Sequence, residues 1–422
     1  MAEILFEQIQ QGEREPTTMR GVLTRGVAVD EKSGIRMVLP TEYGLEQLMG
    51  EKRIRLYLGI DPTSPELHIG HTVPLRKLRQ FQDLGHEVIL LFGTFTGKIG
   101  DPSDKGAARV RLTDEQIAFN LKKYEEQAGK ILDLSKEAKN PINIKFNHEW
   151  LAPLNFEQLI DLSANFTVQQ MLARSGFRKR MDEGKPVSLH EFLYPLMQGY
   201  DSVALDVDLE VGGKDQVPNM MDGRTLINVL KNHEKWVMGT RLIEDPSGKK
   251  MGKTEGNIVN ISDLPEVKYE GIMTWPDSAI QMGFELITSV PMEMVYQVGE
   301  KLQAGELSPV AAKEALAYRV VAELDGPEEA SYAREEFTRV KREGKLPRRM
   351  PNVSVAKDTR ISEILASSGL AKNAEEAALR ISQKSIFING KPIEKDGVWP
   401  SSGEVISVGR KTIKNIRSVK TI

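Results

Sequence analysis

The stretch 54-IRLYLGIDPTSPELHIGHTVPLRKLRQFQDLGHEVILLFGTFTG-97 decides the fold. IRLYLGI is short and rich in branched and aromatic residues, which predicts a buried strand. From His71 the pattern changes. Val73, Leu75, Leu78 and Phe81 recur at helical spacing, and Gly85 is a stop signal. EVILLFGTFTG (87–97) is a second near-continuous apolar run. Strand, helix and strand, with both strands apolar throughout, predict a right-handed crossover in a parallel sheet.

Working outward, NIKFNHEWL (143–151), ALDVDLEVGG (204–213) and KWVMGTRLI (235–243) read as further strands, and MMDGRTLINVLKN (220–232) as a helix. The expected fold class is α/β. A Rossmann-like catalytic domain over 1–260 has its ligand crevice at the carboxyl ends of the strands. It includes an N-terminal extension (1–50) and an insertion (about 113–185). The amphipathic stretches of 261–342 predict an all-helical domain. EGKLPRRMPNVSVAK (343–357) reads as a linker. Residues 358–422 mix two short helices with strand-like SIFING and GEVISVG, a small α+β domain.

The 422 residues are 40% hydrophobic and 28% charged, with a net charge of −3. That is a globular balance with enough apolar residues for sizeable cores. Residues 353–422 carry a net +5 against −8 for the rest. A small basic domain on an acidic body points to nucleic acid or to an unevenly charged surface. There is no cysteine, so disulfides and thiolate zinc sites are excluded. No apolar run approaches a membrane span, and MAEILFEQIQQGEREP lacks an apolar signal-peptide core. The expected location is the cytoplasm.

His68 and His71 stand where the first strand feeds a helix. Free N–H groups at a helix start suit phosphate, Gly70 admits a flat base close to the backbone, and imidazoles can donate to phosphate oxygens. No third ligand accompanies them, so a metal site is not expected. Far downstream, 244-EDPSGKKMGKTEGN-257 clusters Lys249, Lys250 and Lys253 with Thr254 among glycines. Mobile lysines suit a triphosphate whose charge shifts as pyrophosphate leaves. No GxxxxGK[ST] precedes a helix, so this is not a Walker loop. In 194-YPLMQGYD-201, Tyr194, Gln198 and Asp201 fall on one helix face.

Together these motifs resemble the class I aminoacyl-tRNA synthetases. His68-Ile69-Gly70-His71 matches HIGH, and Lys250-Met251-Gly252-Lys253-Thr254 matches KMSKS in a KMGKT form, roughly 180 residues apart. YxxxQxxD at 194–201 and GGxDQ at 212–216 resemble the tyrosyl-tRNA synthetases in particular. The resemblance spans about residues 35–420, with the motifs in the family's order. It implies that tyrosine is activated with ATP to tyrosyl-adenylate and pyrophosphate, then passed to the 3′ end of tRNA(Tyr). His68, His71, Lys250, Lys253 and Thr254 would grip the phosphates. Gly59, Asp61, Thr63, Gly70, Gly213 and Asp215 would complete the ATP site. Tyr194, Gln198 and Asp101 would hold the substrate amino group, Asp201 and Tyr57 its phenol hydroxyl, with Gln216 near the carboxylate. Asn147 and Trp150 resemble a segment lining that pocket. Mg²⁺ is expected with the nucleotide rather than in a protein cage.

Residues 360–393 resemble an RNA-binding fold of a small-subunit ribosomal protein. Ile361, Ile364 and Leu365 would form one apolar face, Ala377, Leu379 and Ile381 another, and Asn389-Gly390 a hairpin turn. Arg360, Lys372, Arg380, Lys384 and Lys411 would meet tRNA phosphates, as would Lys105 and Arg109 near the acceptor end. The helical domain would bind the anticodon, and a homodimer bridged by tRNA is expected, with no membrane partner. The chain departs from the family at Asp104, where Gly is usual, at 91-LFGTFTG-97, which lacks GGAT, and at Lys384-Ser385, where Gly-Gly is common. Two rival readings remain at this level, a tryptophanyl-type enzyme and a non-catalytic RNA-binding relative.

Overall fold

The computed structural model describes residues 7–9, 12–101, 112–244, 259–350, 352–356, 358–399, 405–409 and 413–421. They fall into two compact units, Met1–Ser262 with Pro276–Ala312, and Asp263–Trp275 with Lys313–Ile422. The helices of 261–342 are therefore divided between the two.

The first unit is built on a six-stranded sheet in the order β1-β6-β5-β2-β3-β4. Its strands are β1 (Val38–Leu39), β2 (Arg55–Ile60), β3 (Glu87–Phe92), β4 (Asn143–Phe146), β5 (Leu209–Gly213) and β6 (Trp236–Thr240). All neighbours pair parallel except β1, which runs antiparallel to β6. The expected α/β class with a parallel core is what forms. Val88 to Phe92 of β3 are buried without interruption, as a strand covered on both faces must be. The Thr72–Asp83 helix buries Val73, Leu75, Leu78 and Phe81, and Gly85 beyond its end adopts φ +84°, a conformation that favours glycine.

Some boundaries differ from the sequence reading. Residues 204–205 end the Leu193–Leu205 helix and β5 starts only at Leu209, because Asp206 turns left-handed (φ 51°) between them. The run 87–97 stops being a strand at Phe92 and turns back on itself through Thr96–Lys98. His148–Leu151 is a helical turn rather than strand. The N-terminal extension is fastened by buried cations. Arg25 donates to the carbonyls of Phe284, Glu285, Thr288 and Val290, and so satisfies the C-terminal end of the Ile280–Ile287 helix. Lys77 donates to the carbonyls of Val22 and Arg25.

The second unit carries a five-stranded sheet in the order β7-β11-β10-β8-β9. These are β7 (Asn352–Val355), β8 (Ile386–Ile388), β9 (Lys391–Pro392), β10 (Val405–Val408) and β11 (Ile416–Thr421). β7 lies in the stretch expected as a linker and pairs parallel with β11. Ile361, Ile364, Leu365, Ala377 and Ile381 enter one core with Ile386, Ile406 and Val408. Leu379, expected among them, is exposed. It stands two residues from both Ala377 and Ile381, off the buried stripe of its helix. Asn389 and Gly390 both take positive φ in the two-residue β8–β9 turn, the geometry that favours Asn-Gly. Among the described residues no helix is long and apolar enough to cross a membrane.

Candidate active site

Strand order places the crevice. From β2 the chain crosses to β3 and β4 on one side, and later returns to β5 on the other. Such a reversal leaves an opening beyond the carboxyl ends of the two central strands. The β2 end delivers Gly59, Asp61 and His68, and the β5 end delivers Gly213, Asp215 and Gln216.

At the β2 end the two histidines order the helix start themselves. His68 Nδ1 accepts from the Gly70 N–H at 3.1 Å, and His71 Nδ1 lies 3.1 Å from the His68 N–H and 3.3 Å from its carbonyl. These bonds cap backbone donors that would otherwise be unpaired. An accepting Nδ1 leaves the ring proton on Nε2 of His68. A Cβ at residue 70 would sit 2.9 Å from the His68 ring, so glycine is needed for this cap. The rings lie 3.9 Å apart. Val259–Ile261 runs beside them, with Ile69 N–H donating to Val259 O at 2.8 Å and Ile261 N–H to Leu67 O at 2.8 Å. Lys250, Lys253 and Thr254 lie outside the described residues. The described residues on either side of that stretch are fixed at the crevice, Glu244 by Lys214 at 2.7 Å and Val259 by Ile69.

The Leu193–Leu205 helix presents Tyr194, Gln198 and Asp201 inward, with Tyr194 and Asp201 buried. Asp201 accepts from Trp150 Nε1 at 2.7 Å and Asn147 Nδ2 at 3.2 Å. Burial nonetheless pushes its carboxyl well above the usual carboxylate range, with those two bonds opposing. Tyr194 donates to Asp61 Oδ2 at 2.8 Å, and Thr96 Oγ1 donates to Asp61 Oδ1 at 2.7 Å. Gln216 Nε2 donates to Asp101 at 2.7 Å. Tyr57 is fully buried, and its hydroxyl lies 2.9 Å from Ser202 Oγ. Burial, followed by the nearby Glu210 and Asp201 carboxylates, raises the Tyr57 phenol well above its ordinary value. Burial does the same for Tyr194, with the charges of Asp61 and Asp101 adding to it.

The expected residues around the amino-acid pocket are thus brought together, and the pocket is rich in acceptors. Thr63 is held by its N–H on the Asp61 carbonyl at 2.8 Å. Gly59 is exposed at the strand end and Asp215 is exposed in the turn after β5. In 91-LFGTFTG-97, which lacks GGAT, Gly93 permits a close approach to Asp61 and Thr96. A Cβ there would fall 1.8 Å from Asp61 Oδ1 and 2.4 Å from Thr96 Oγ1. Sequence reasoning missed Thr96, Ser202, Glu210 and Lys235. The last two are a buried ion pair, but each stands among other charges in the sequence, Glu210 after Asp206 and Asp208 and Lys235 after Glu234, so neither stood out. Among the described residues, no group of three or more His, Asp or Glu could hold a metal ion.

In the second unit three of the expected tRNA contacts have an acidic neighbour. Arg360 lies 3.7 Å from Asp396, Arg380 2.8 Å from Glu376 and Lys384 2.7 Å from Glu394. Lys105, Arg109 and Lys411 lie outside the described residues.

The family model for tRNA synthetases class I (W and Y) matches residues 49–340. The tyrosine–tRNA ligase of Carboxydothermus hydrogenoformans is 40% identical over 373 residues, 86% of this chain and 90% of that protein. That of Thermotoga maritima is 38% identical, over 92% of this chain and 97% of its own length. Among solved structures, a C-terminally truncated mitochondrial tyrosyl-tRNA synthetase from Aspergillus nidulans is similar in fold. Its TM-score is 0.63 at 21% identity, covering 80% of this chain and 98% of that one.

Proposed function

The chain belongs to the class I tRNA synthetases of the tryptophan and tyrosine branch, with the function of a tyrosine–tRNA ligase, and we propose how its residues divide that work. Its partners are accordingly tyrosine, ATP and tRNA. A tyrosine carboxylate oxygen attacks the α-phosphorus of ATP. The bond to the bridging oxygen of the β-phosphate breaks, and pyrophosphate departs with that electron pair. The 3′-terminal ribose hydroxyl of the tRNA then attacks the carbonyl carbon of the mixed anhydride, and AMP leaves. No covalent enzyme intermediate is needed, so the protein contributes position and charge.

In this reading Asp201 accepts the phenol hydroxyl beside Tyr57. Tyr194, Gln198 and Asp101 receive the ammonium, and Gln216 lies toward the carboxylate. His68 and His71 donate from Nε2 to the phosphates, and Lys250, Lys253 and Thr254 are assigned to the same phosphates. Gly59 and Gly70 admit the adenosine, Gly213 and Asp215 meet its ribose, and Asp61 and Thr63 hold the corner between the two substrates. Mg²⁺ would arrive on the nucleotide, since that ion keeps its waters and binds phosphates readily.

The observation that carries the choice of tyrosine is Asp201, buried and held by Trp150 and Asn147 near the Tyr57 hydroxyl. A buried carboxylate there rewards a substrate hydroxyl and is left unpaired by a substrate without one. Lys105, Arg109, Arg360, Arg380, Lys384 and Lys411 are assigned to tRNA. A homodimer is supported by large apolar side chains exposed between 156 and 189, with Phe156 78% and Leu189 81% exposed. Light scattering tests it. A cytoplasmic location is proposed from the likeness to the bacterial ligases.

ATP–pyrophosphate exchange against all twenty amino acids tests the pocket. Tyrosine alone should support it, and tRNA(Tyr) should then be charged. Exchange with tryptophan and not tyrosine would overturn the pocket assignment. Exchange with none would leave an RNA-binding relative.

A further inference from the structure

Beneath the pocket lies a buried ion pair that the two-step reaction does not use. Lys235, fully buried just before β6, donates to Ser202 Oγ at 2.7 Å, to the Met220 carbonyl at 3.1 Å and to Glu210. These three partners match the three N–H bonds of an ammonium, which cannot accept. Gly223 leaves the room: a Cβ there would fall 2.4 Å from Ser202 Oγ and 2.5 Å from Lys235 Nζ. Apolar residues of the same volume would serve stability as well as a buried pair does. The pair therefore calls for another reason.

Its contacts run to both ends of the pocket. Glu210 accepts from Gln198 Nε2 at 3.1 Å. A carboxylate only accepts, so the amide must turn its N–H toward Glu210. Gln198 Oε1 is then left buried with no hydrogen-bond partner among the described residues. That free carbonyl is what a substrate ammonium requires. At the other end, Ser202 Oγ receives a Lys235 proton and lies nearer to Tyr57 Oη (2.9 Å) than to Glu210 (3.3 Å). Ser202 gives its own proton to Glu210, so the Tyr57 proton turns inward to Ser202. Lys235, Ser202 and Tyr57 thus commit their protons around Glu210 and hold it in place.

We propose that the Glu210–Lys235 pair sets the hydrogen-bond polarity of the amino-acid pocket. Glu210 fixes the Gln198 amide with its carbonyl toward the ammonium. Lys235, bonded to Glu210 and Ser202, holds Glu210 in that position. Both are positioning residues, since neither touches the substrate, and the inference rests on the tyrosine pocket proposed above.

The test is exchange kinetics of Glu210→Gln/Lys235→Met, a neutral pair of similar volume, with circular dichroism and thermal unfolding as fold controls. KM for tyrosine should rise about tenfold, the worth of one oriented bond to a charged group, with the preference for tyrosine over phenylalanine kept because both carry the ammonium. KM for ATP and kcat should stay within about twofold, because the loss is in amino-acid binding. A folded variant with wild-type tyrosine KM overturns the inference. So does a parallel loss in kcat and in both KM values, which a merely structural pair would give. Should the double variant not fold, Glu210→Gln alone, which keeps an acceptor for Lys235, is read by the same criteria. Wild-type enzyme that fails with tyrosine but runs with another amino acid overturns the pocket itself. Normal tyrosine exchange in the wild type beside an unaffected variant overturns only the role of the pair.

Discussion

Asp201→Asn isolates the reading of the phenol hydroxyl. The two oxygens of Asp201 each accept from a different donor, Trp150 Nε1 on Oδ1 and Asn147 Nδ2 on Oδ2. Asparagine keeps one oxygen and places an NH₂ where the other stood. One neighbour then faces a donor with a donor. Asn147 cannot turn away, because its second N–H goes to Thr96 Oγ1 and its oxygen accepts from Phe95 N–H. An unpaired buried donor costs about 1–3 kcal/mol of stability. The substrate also loses a bond to a charged acceptor, worth about 1.5–3 kcal/mol, or roughly 10- to 150-fold in kcat/KM for tyrosine. Phenylalanine has no hydroxyl to lose and should be affected far less, so the ratio of the two is the sensitive measure. Because burial raises the Asp201 carboxyl, wild-type kcat/KM should fall as pH drops through that raised value, and the Asn variant should lack this acid limb. Exchange with both amino acids across a pH series measures all of this. If Asp201→Asn keeps the wild-type tyrosine-to-phenylalanine ratio, the hydroxyl is read elsewhere.

Three further outcomes follow from single positions. Gly93→Ala must displace Asp61 and Thr96, whose oxygens a Cβ would overlap, so tyrosine exchange should fall by about 100-fold, the loss of roughly two bonds. Near-normal exchange would refute the close approach. Lys384 adopts φ 56° after the Ala374–Ser382 helix, with Lys384 N–H on Ile381 O and Ser385 N–H on Arg380 O closing the helix end. Lys384→Gly should stabilise the second unit by about 1 kcal/mol in urea unfolding by removing left-handed strain; destabilisation would count against that geometry. Asp222 is buried, which raises its carboxyl to about 6 although Arg174 pulls it down. The unfolded carboxyl releases its proton earlier, so the folded chain holds more protons between about pH 4 and 6 and stability falls as pH rises through that window. Relative to Asp222→Asn, the wild type should lose about 2–3 kcal/mol from pH 4 to 7; parallel stability curves would contradict the shift.

Continuous apolar strands made the sheet legible. β2 and β3 are runs that only burial on both faces explains, and the helix between them showed its buried stripe and its stop. The histidines, YxxxQxxD and GGKDQ were legible because chemistry there is concentrated in short spans. The remainder was hidden for identifiable reasons. β7 is half-exposed Asn-Val-Ser-Val, too short for its alternation to stand out beside the basic run before it. Asp206 breaks the run 204–213 by a backbone conformation that its side chain tolerates but does not announce. Arg25 and Lys77 satisfy backbone carbonyls, partners that leave no mark on sequence. Glu210 lies on β5 and Lys235 just before the neighbouring parallel strand β6, so their pairing is a product of topology.

The opening strand-to-helix corner is joined to the amino-acid pocket by an unbroken chain of bonds. Tyr194 donates to Asp61, Thr96 donates to Asp61, Asn147 donates to Thr96 and to Asp201. Each member has its hydrogen-bonding capacity largely committed, and in a buried network one displaced group leaves another unpaired. Asp61 cannot move toward the nucleotide side without releasing Tyr194, and Asp201 cannot turn without releasing Asn147. On the proposed assignment, amino-acid selection at one end and the nucleotide corner at the other are held by one frame. A substrate that leaves Asp201 unsatisfied would then strain the residues toward the ATP side, so a missing hydroxyl is expected to lower kcat as well as binding.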